Sequence, residues 1–122
     1  MNIYLNPTYE VSNKHQLNVI KKLEGMKTIN VLHPFKSLIW QGPLYVKEMN
    51  KLVYEQNINF ISETFNNVGY ALHMIDLGIG KVSITSNMEK ELRKKIYSIA
   101  TKNRVKIFYT EMFTEKFNIF EI

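Results

Sequence analysis

The chain has 122 residues, a formal net charge of +5 and no cysteine. Its apolar fraction of 45% and charged fraction of 22% are typical of a globular domain and exclude an intrinsically disordered chain. The absence of cysteine excludes disulfides, thiol catalysis, Fe–S clusters and thiolate zinc sites, and it fits a reducing compartment. We therefore expect residues 1–122 to form a single domain whose stability needs neither a disulfide nor a metal.

Lysine supplies most of the positive charge, because only Arg93 and Arg104 among the 16 basic residues are arginines. Arginine holds phosphate and guanine with two donors at once, whereas lysine is a point charge, so this imbalance disfavours a nucleic-acid function. An AT-rich coding sequence would produce the same composition. No apolar run approaches the roughly 20 residues of a membrane span, and residues 1–10 lack a signal-peptide pattern. We expect a cytoplasmic protein without a membrane partner.

The amino-terminal part, residues 1–35, predicts one helix and one short strand. After a turn at residues 6–8, a helix over residues 14–24 follows the capping residues Ser12 and Asn13 and ends at Gly25. Residues 28–33 alternate in hydropathy, which predicts a short strand or extended link at an edge of the sheet.

The middle of the chain predicts a strand, a helix and a second strand. The apolar run at residues 37–40 extends the alternation of strands and helices upstream as a strand. Pro43 then begins a helix over residues 43–56, because a proline in the first helical turn removes no hydrogen bond. Residues 58–62 form the next strand.

The carboxyl-terminal half has the clearest pattern. Asn66 or Asn67 caps a helix that ends at Gly78, and residues 81–85 form a strand. Ser86 and Glu89 match a capping box for a helix that extends to residue 103. Residues 104–109 form the last strand. Alternation with short turns predicts an α/β fold with a mostly parallel sheet of four or five strands and helices on both faces.

Residues 114–122 form an apolar tail that contains two phenylalanines and two isoleucines. The tail predicts either an edge strand docked on its own domain or a segment that binds a partner. Docking on the domain is favoured, because an exposed apolar tail promotes association.

A candidate ligand site follows from the parallel sheet, because ligands of such sheets bind beyond the carboxyl ends of the strands. The polar residues predicted at this rim are Glu63, Asn66, Asn67, Thr85, Ser86 and Glu111. Glu63 and Glu111 could perform acid/base chemistry or hold a divalent cation, or they could be solvated loop residues. Ser86 could bind phosphate at a helix amino terminus, or it could be a structural cap paired with Glu89.

Motifs of the common enzyme and cofactor classes are missing from the sequence. The chain has no P-loop, no dinucleotide fingerprint and no nucleophile elbow. Its three histidines, His15, His33 and His73, have no zinc-ligand spacing. We therefore predict no cofactor, no metal and no catalytic residue, and we favour a protein that is not an enzyme.

One predicted helix carries a basic face formed by Lys90, Arg93 and Lys94, three and four residues apart. Such a face is usually solvated. The alternative is a surface for RNA or an acidic partner, which salt dependence of binding would reveal.

From about Lys36 onward, the order of elements resembles the small regulatory domains of the STAS and anti-sigma-factor-antagonist type. The switch of that family is a serine or threonine at the start of the helix after a central strand, often followed by serine and glycine. The corresponding residues here are Asn66, Asn67, Val68 and Gly69, so the glycine matches but no hydroxyl precedes it. The resemblance implies function through protein contacts, without the phosphorylation switch of the family.

These observations favour a small non-catalytic regulatory or protein-interaction module that self-associates, or binds another protein, through the tail or a sheet edge. One alternative is a small-molecule or phosphate-binding enzyme that uses the strand-end residues Glu63, Ser86 and Glu111. A second alternative is a weak RNA-binding domain that uses the basic helix.

Overall fold

The computed structural model describes residues 2–23, 27–53 and 57–118. The strands of the described residues are β1 (Thr8–Glu10), β2 (Ile29–His33), β3 (Ile58–Phe65), β4 (Lys81–Ile84), β5 (Lys106–Tyr109) and β6 (Lys116–Asn118). The α-helices are α1 (Lys14–Leu23), α2 (Phe35–Gln41), α3 (Pro43–Leu52), α4 (Val68–Asp76) and α5 (Lys90–Lys102). Short 3-10 turns occur at Ile3–Leu5 and Thr110–Met112.

The strands form one sheet in the order β5-β4-β3-β2-β1-β6, and every pair of neighbours is parallel. The predicted α/β class with a parallel sheet is confirmed. The predicted number of strands, four or five, is slightly too low. The described residues form six strands, of which β1 and β6 are only three residues long.

The prediction of helices on both faces is wrong. Buried residues of all five helices belong to one apolar cluster, which also contains Val31, Phe60 and Val82 from the central strands. Leu32 and Ile61 point to the opposite face and form a separate cluster without helix residues. The reason is topological: β1 to β5 are adjacent in chain order, and right-handed crossovers that always advance in one direction keep their helices on one side.

Two segments without α-helix cover the face of the sheet opposite the α-helices. Phe113 is buried there against Leu32 and Ile61, and Ile3 and Tyr4 pack on the same cluster. The Tyr4 and Phe113 ring centroids are 4.8 Å apart. Since β5 and β6 are the two edge strands, residues 110–115 connect opposite edges of the sheet, and Phe113 anchors this connection in the middle.

Residues 116–118 of the predicted apolar tail form the edge strand β6, in agreement with the favoured docking of the tail on its own domain. In β6, Phe117 lies opposite Tyr9 of β1, and their ring centroids are 5.5 Å apart. Residues 119–122 of the predicted tail lie outside the described residues.

Two other predictions from the middle of the chain are corrected. Residues 37–40 belong to the helix α2, because Pro34 occupies the N-cap position and Leu38 faces the core while its apolar neighbours are exposed. Residues 28–33 contain β2, which lies between β1 and β3 and is buried along its whole length rather than at an edge. The predicted ends of the first two helices, at Gly25 and at residues 54–56, lie outside the described residues.

Helix α4 begins as predicted, with the Asn67 side chain accepting a hydrogen bond from the Tyr70 N–H at 2.9 Å. The capping box predicted for α5 is wrong. Glu89 itself occupies the N-cap position without a side-chain bond, and the Ser86 N–H donates instead to Glu111. The carboxylate of Glu111, 25 residues later in the chain, thus takes the place that the capping box assigned to Glu89.

Candidate functional site

The structure connects the two predicted carboxylates to different parts of the chain. Glu63 lies inside β3, next to a β-bulge, and its Oε1 accepts the Phe35 N–H at the start of α2 at 3.1 Å. Glu111 follows β5, which is separated from β3 by β4. Each carboxylate therefore stabilises a loop or a helix start, and no hydrogen bond of the described residues joins them.

Three of the predicted rim residues do come together around Glu111. One carboxylate oxygen accepts the Thr85 hydroxyl at 2.6 Å, and the other accepts the Ser86 N–H at 2.8 Å. Desolvation opposes ionisation of Glu111, which is mostly exposed, but these hydrogen bonds outweigh it and hold the pKa of Glu111 below its ordinary value. Glu111 is thus an ionised clamp between the turn after β4 and the turn after β5, rather than a proton donor.

The remaining two rim residues, Asn66 and Asn67, lie at the amino end of α4. Asn66 is exposed in the turn, and Asn67 uses its side-chain oxygen as the helix cap. Asn67 also lines an open depression of about 430 Å³ together with Pro43, Gly69, Tyr70 and His73. None of the described residues that line this depression carries a carboxylate.

A buried polar cluster brings together His33, the last residue of β2, Ser62 of β3 and Gln41 of α2. His33 and Ser62 are opposite each other in register, and both are fully buried. His33 Nε2 lies 2.7 Å from Gln41 Oε1, and the Gln41 amide nitrogen donates to the Ser12 carbonyl. Because that bond orients the Gln41 oxygen toward the ring, Nε2 carries the imidazole proton.

Burial lowers the pKa of His33, and the bonds to Gln41 and Ser12 oppose this effect without cancelling it. Among the residues that the structure describes, neither His33 Nδ1 nor Ser62 Oγ has a hydrogen-bond partner, so the histidine does not activate the serine as a base would. Without access to solvent, this cluster joins α2 to the sheet and offers no nucleophile to a substrate.

Two of the three residues of the basic helix face have partners within the molecule. Arg93 is partly buried, with its Nη1 3.5 Å from the Tyr109 hydroxyl, and Lys94 lies 3.9 Å from a Glu91 oxygen. Lys90 is exposed at the first position of α5.

The most exposed apolar residues of the helical side lie where α2 meets α3. Ile39, Trp40 and Leu44 have exposed fractions of 53%, 89% and 69%, and we call this group the Trp40 surface. Leu38 is fully buried, and each helical residue rotates about 100° from the one before, so the next two side chains must leave the core. An exposed tryptophan with two exposed aliphatic neighbours is a typical mark of an interaction surface.

Lysines flank the Trp40 surface at helical spacing. Lys36 is four residues before Trp40 on α2, and Lys47 is three residues after Leu44 on α3. Among the described residues, the salt bridges with side-chain atoms within 4.0 Å are Lys51–Glu48 and Lys94–Glu91, so neither flanking lysine is paired in this way.

No helix of the described residues is long and apolar enough to span a membrane. Within the same residues, no group of three or more histidine, aspartate or glutamate side chains is arranged to hold a metal ion. No family model matches the chain, and neither the curated proteins nor the solved structures that were compared with it give a significant match. The resemblance to STAS domains stays a prediction.

Proposed function

We propose that the protein is a non-catalytic interaction module that binds an acidic, partly apolar segment of another protein at the Trp40 surface. The observation that carries this proposal is the 89% exposure of Trp40 between two other exposed apolar side chains. Tryptophan is enriched among the residues that dominate binding energies at protein interfaces, and covering it removes a large apolar area from water.

The charge of the molecule favours another protein over a second copy as the partner. Two copies would each carry a net charge of +5, and Lys36 and Lys47 would flank the apolar contact on both sides. An acidic partner would turn the same charges into favourable long-range attraction.

The tail and the strand-end residues support their predicted functions less than the Trp40 surface supports protein binding. In the tail, Phe117 already packs on Tyr9, which leaves less of the tail free for a partner. At the strand ends, Glu63 and Glu111 each accept hydrogen bonds from their own chain. The enzyme and RNA-binding hypotheses stay predictions.

Trp40 is the single tryptophan of the chain, so its fluorescence reports directly on this surface. We suggest selecting displayed peptides against the immobilised protein and titrating each selected peptide while recording the emission of Trp40. The expected peptides combine aspartate or glutamate with aromatic or aliphatic residues, and they shift the emission to shorter wavelength. Trp40→Ala, measured by calorimetry, should weaken binding by about 30-fold, the equivalent of a 2 kcal/mol hot spot.

Leu5→Ala is the matched control, because Leu5 is 81% exposed but lies in the amino-terminal 3-10 turn. Phe117→Ser tests the tail as the alternative docking segment. The proposal fails if the selected peptides bind Trp40→Ala as tightly as the unchanged protein, or if Phe117→Ser abolishes binding while Trp40→Ala does not. An emission shift that depends on protein concentration alone would identify a second copy as the partner instead.

A further inference from the structure

Two lysines lie side by side on the face of the sheet that has no helices. Lys81 is the first residue of β4 and Lys106 the first residue of β5, and the strand pairing places them directly opposite each other. Neighbouring strands are about 4.8 Å apart, so the two side chains start within that distance. The next pair along the strands, Val82 and Ile107, belongs to the helix-side core, which directs both lysines to the opposite face.

This pairing is unfavourable within the isolated protein. Like charges directly opposite on neighbouring strands are destabilising. Burial lowers the pKa of Lys81, and the charge of Lys106 lowers it further. Among the described residues, no carboxylate lies within salt-bridge distance of either lysine to relieve the repulsion.

The two lysines line a cavity of about 400 Å³, a size within the range of small-molecule sites. It lies at the amino ends of β4 and β5, beside residues 2–6 of the amino-terminal segment. The described residues that line it are Asn2, Ile3, Tyr4, Asn6, Thr28, Asn59, Lys81, Lys106 and Phe108, and none of these is acidic.

The rest of the lining combines amide groups with aromatic rings. Asn2 uses its side-chain oxygen to accept the Tyr4 N–H, which turns its NH₂ group into a potential donor for a ligand. Tyr4 and Phe108 are packed edge to face with centroids 5.8 Å apart, and they give the cavity an apolar wall.

We infer that this cavity binds a small dianionic ligand of the phosphate-monoester class that carries an aromatic or other apolar body. A phosphate monoester has a charge of about −1.5 to −2 at neutral pH and three acceptor oxygens, so it would neutralise both lysines and accept from the amides. The body of the ligand would pack on Phe108 and Tyr4. This site is independent of the Trp40 surface, which lies on the helices of the other face.

The experiment titrates the full chain with phenyl phosphate, inorganic phosphate and benzyl alcohol, using calorimetry and amide chemical shifts. Phenyl phosphate should saturate one site and bind more tightly than inorganic phosphate, and benzyl alcohol should bind weakly or not at all. Lys81→Met and Lys106→Met, which keep an unbranched side chain without the charge, should each weaken binding by about tenfold or more.

Lys95→Met is the matched control, because Lys95 is an exposed lysine on α5 and the change in net charge is the same. It should leave the affinity within about twofold. Equal weakening by Lys95→Met would show only general attraction to a basic protein and overturn the inference, as would the absence of saturable phenyl phosphate binding.

A second measurement does not need a ligand. Because either site variant removes the repulsion between the lysines, each should be at least as stable as the unchanged protein while it loses phosphate binding. Loss of binding together with loss of the folded spectrum would refute this account, since the lysines would then be structural.

Discussion

Acidification below pH 6.5 should destabilise this protein through His33. The imidazole is fully buried, and its pKa in the folded protein is lowered from the ordinary 6.5 by burial, with Gln41 and Ser12 opposing the shift. Between the two pKa values, the unfolded chain binds a proton that the folded protein does not bind. The free energy of unfolding therefore falls as the pH is lowered through this window, with a slope of up to about 1.4 kcal/mol per pH unit. Above pH 6.5, His33 is neutral in both the folded and the unfolded protein, so the free energy of unfolding no longer changes with its protonation.

His33→Leu removes the titrating group and leaves the Gln41 oxygen without its donor. We expect a loss of about 1–3 kcal/mol at neutral pH from the unpaired amide oxygen and altered packing. Urea unfolding from about pH 7.5 to about pH 5 should show a smaller pH dependence for the variant, so that the difference between the two proteins narrows on acidification. Parallel loss of stability in both proteins would refute the assignment of this acid sensitivity to His33.

Two further predictions concern contacts between distant segments. Glu111→Gln should cost about 1 kcal/mol at neutral pH, because this exposed carboxylate loses its charge-assisted bonds to Thr85 and Ser86. Since the pKa of Glu111 is lowered in the folded protein, its stabilising contribution is present above the unfolded value of about 4.3 and is lost as the pH falls through the folded value. In urea unfolding, the difference in free energy of unfolding between the two proteins should therefore narrow as the pH is lowered from about 4.3. Tyr4→Phe should cost about 1 kcal/mol and accelerate hydrogen exchange at the Tyr109 amide, whose N–H donates to the Tyr4 hydroxyl at 2.9 Å. Unchanged exchange at that amide would contradict an anchoring role for Tyr4.

Of the predicted ligand site, the sequence located the polar residues but not their partners. Thr85, Ser86 and Glu111 meet at one place, whereas Glu63 bonds to the start of α2. The contact joins Thr85 to Glu111, which lies 26 residues later in the chain. A pattern of neighbouring residues does not predict a contact over such a separation in sequence. The Trp40 surface was missed for a related reason, because an apolar run of four residues fits a strand as well as a helix.

The sequence by itself determined the elements whose signals are local. The periodicity of α4 and α5, the alternation in β4 and the Asn67 cap all depend on residues within one or two helical turns, or on neighbours along one strand. Tertiary structure decided the features that depend on contacts between distant parts of the chain. Pairing alone makes β1 and β6 strands, strand order confines the helices to one face, and register brings Lys81 beside Lys106. The physical reason is that free energies of such contacts depend on residues far apart in the chain, which come together only when the sheet forms.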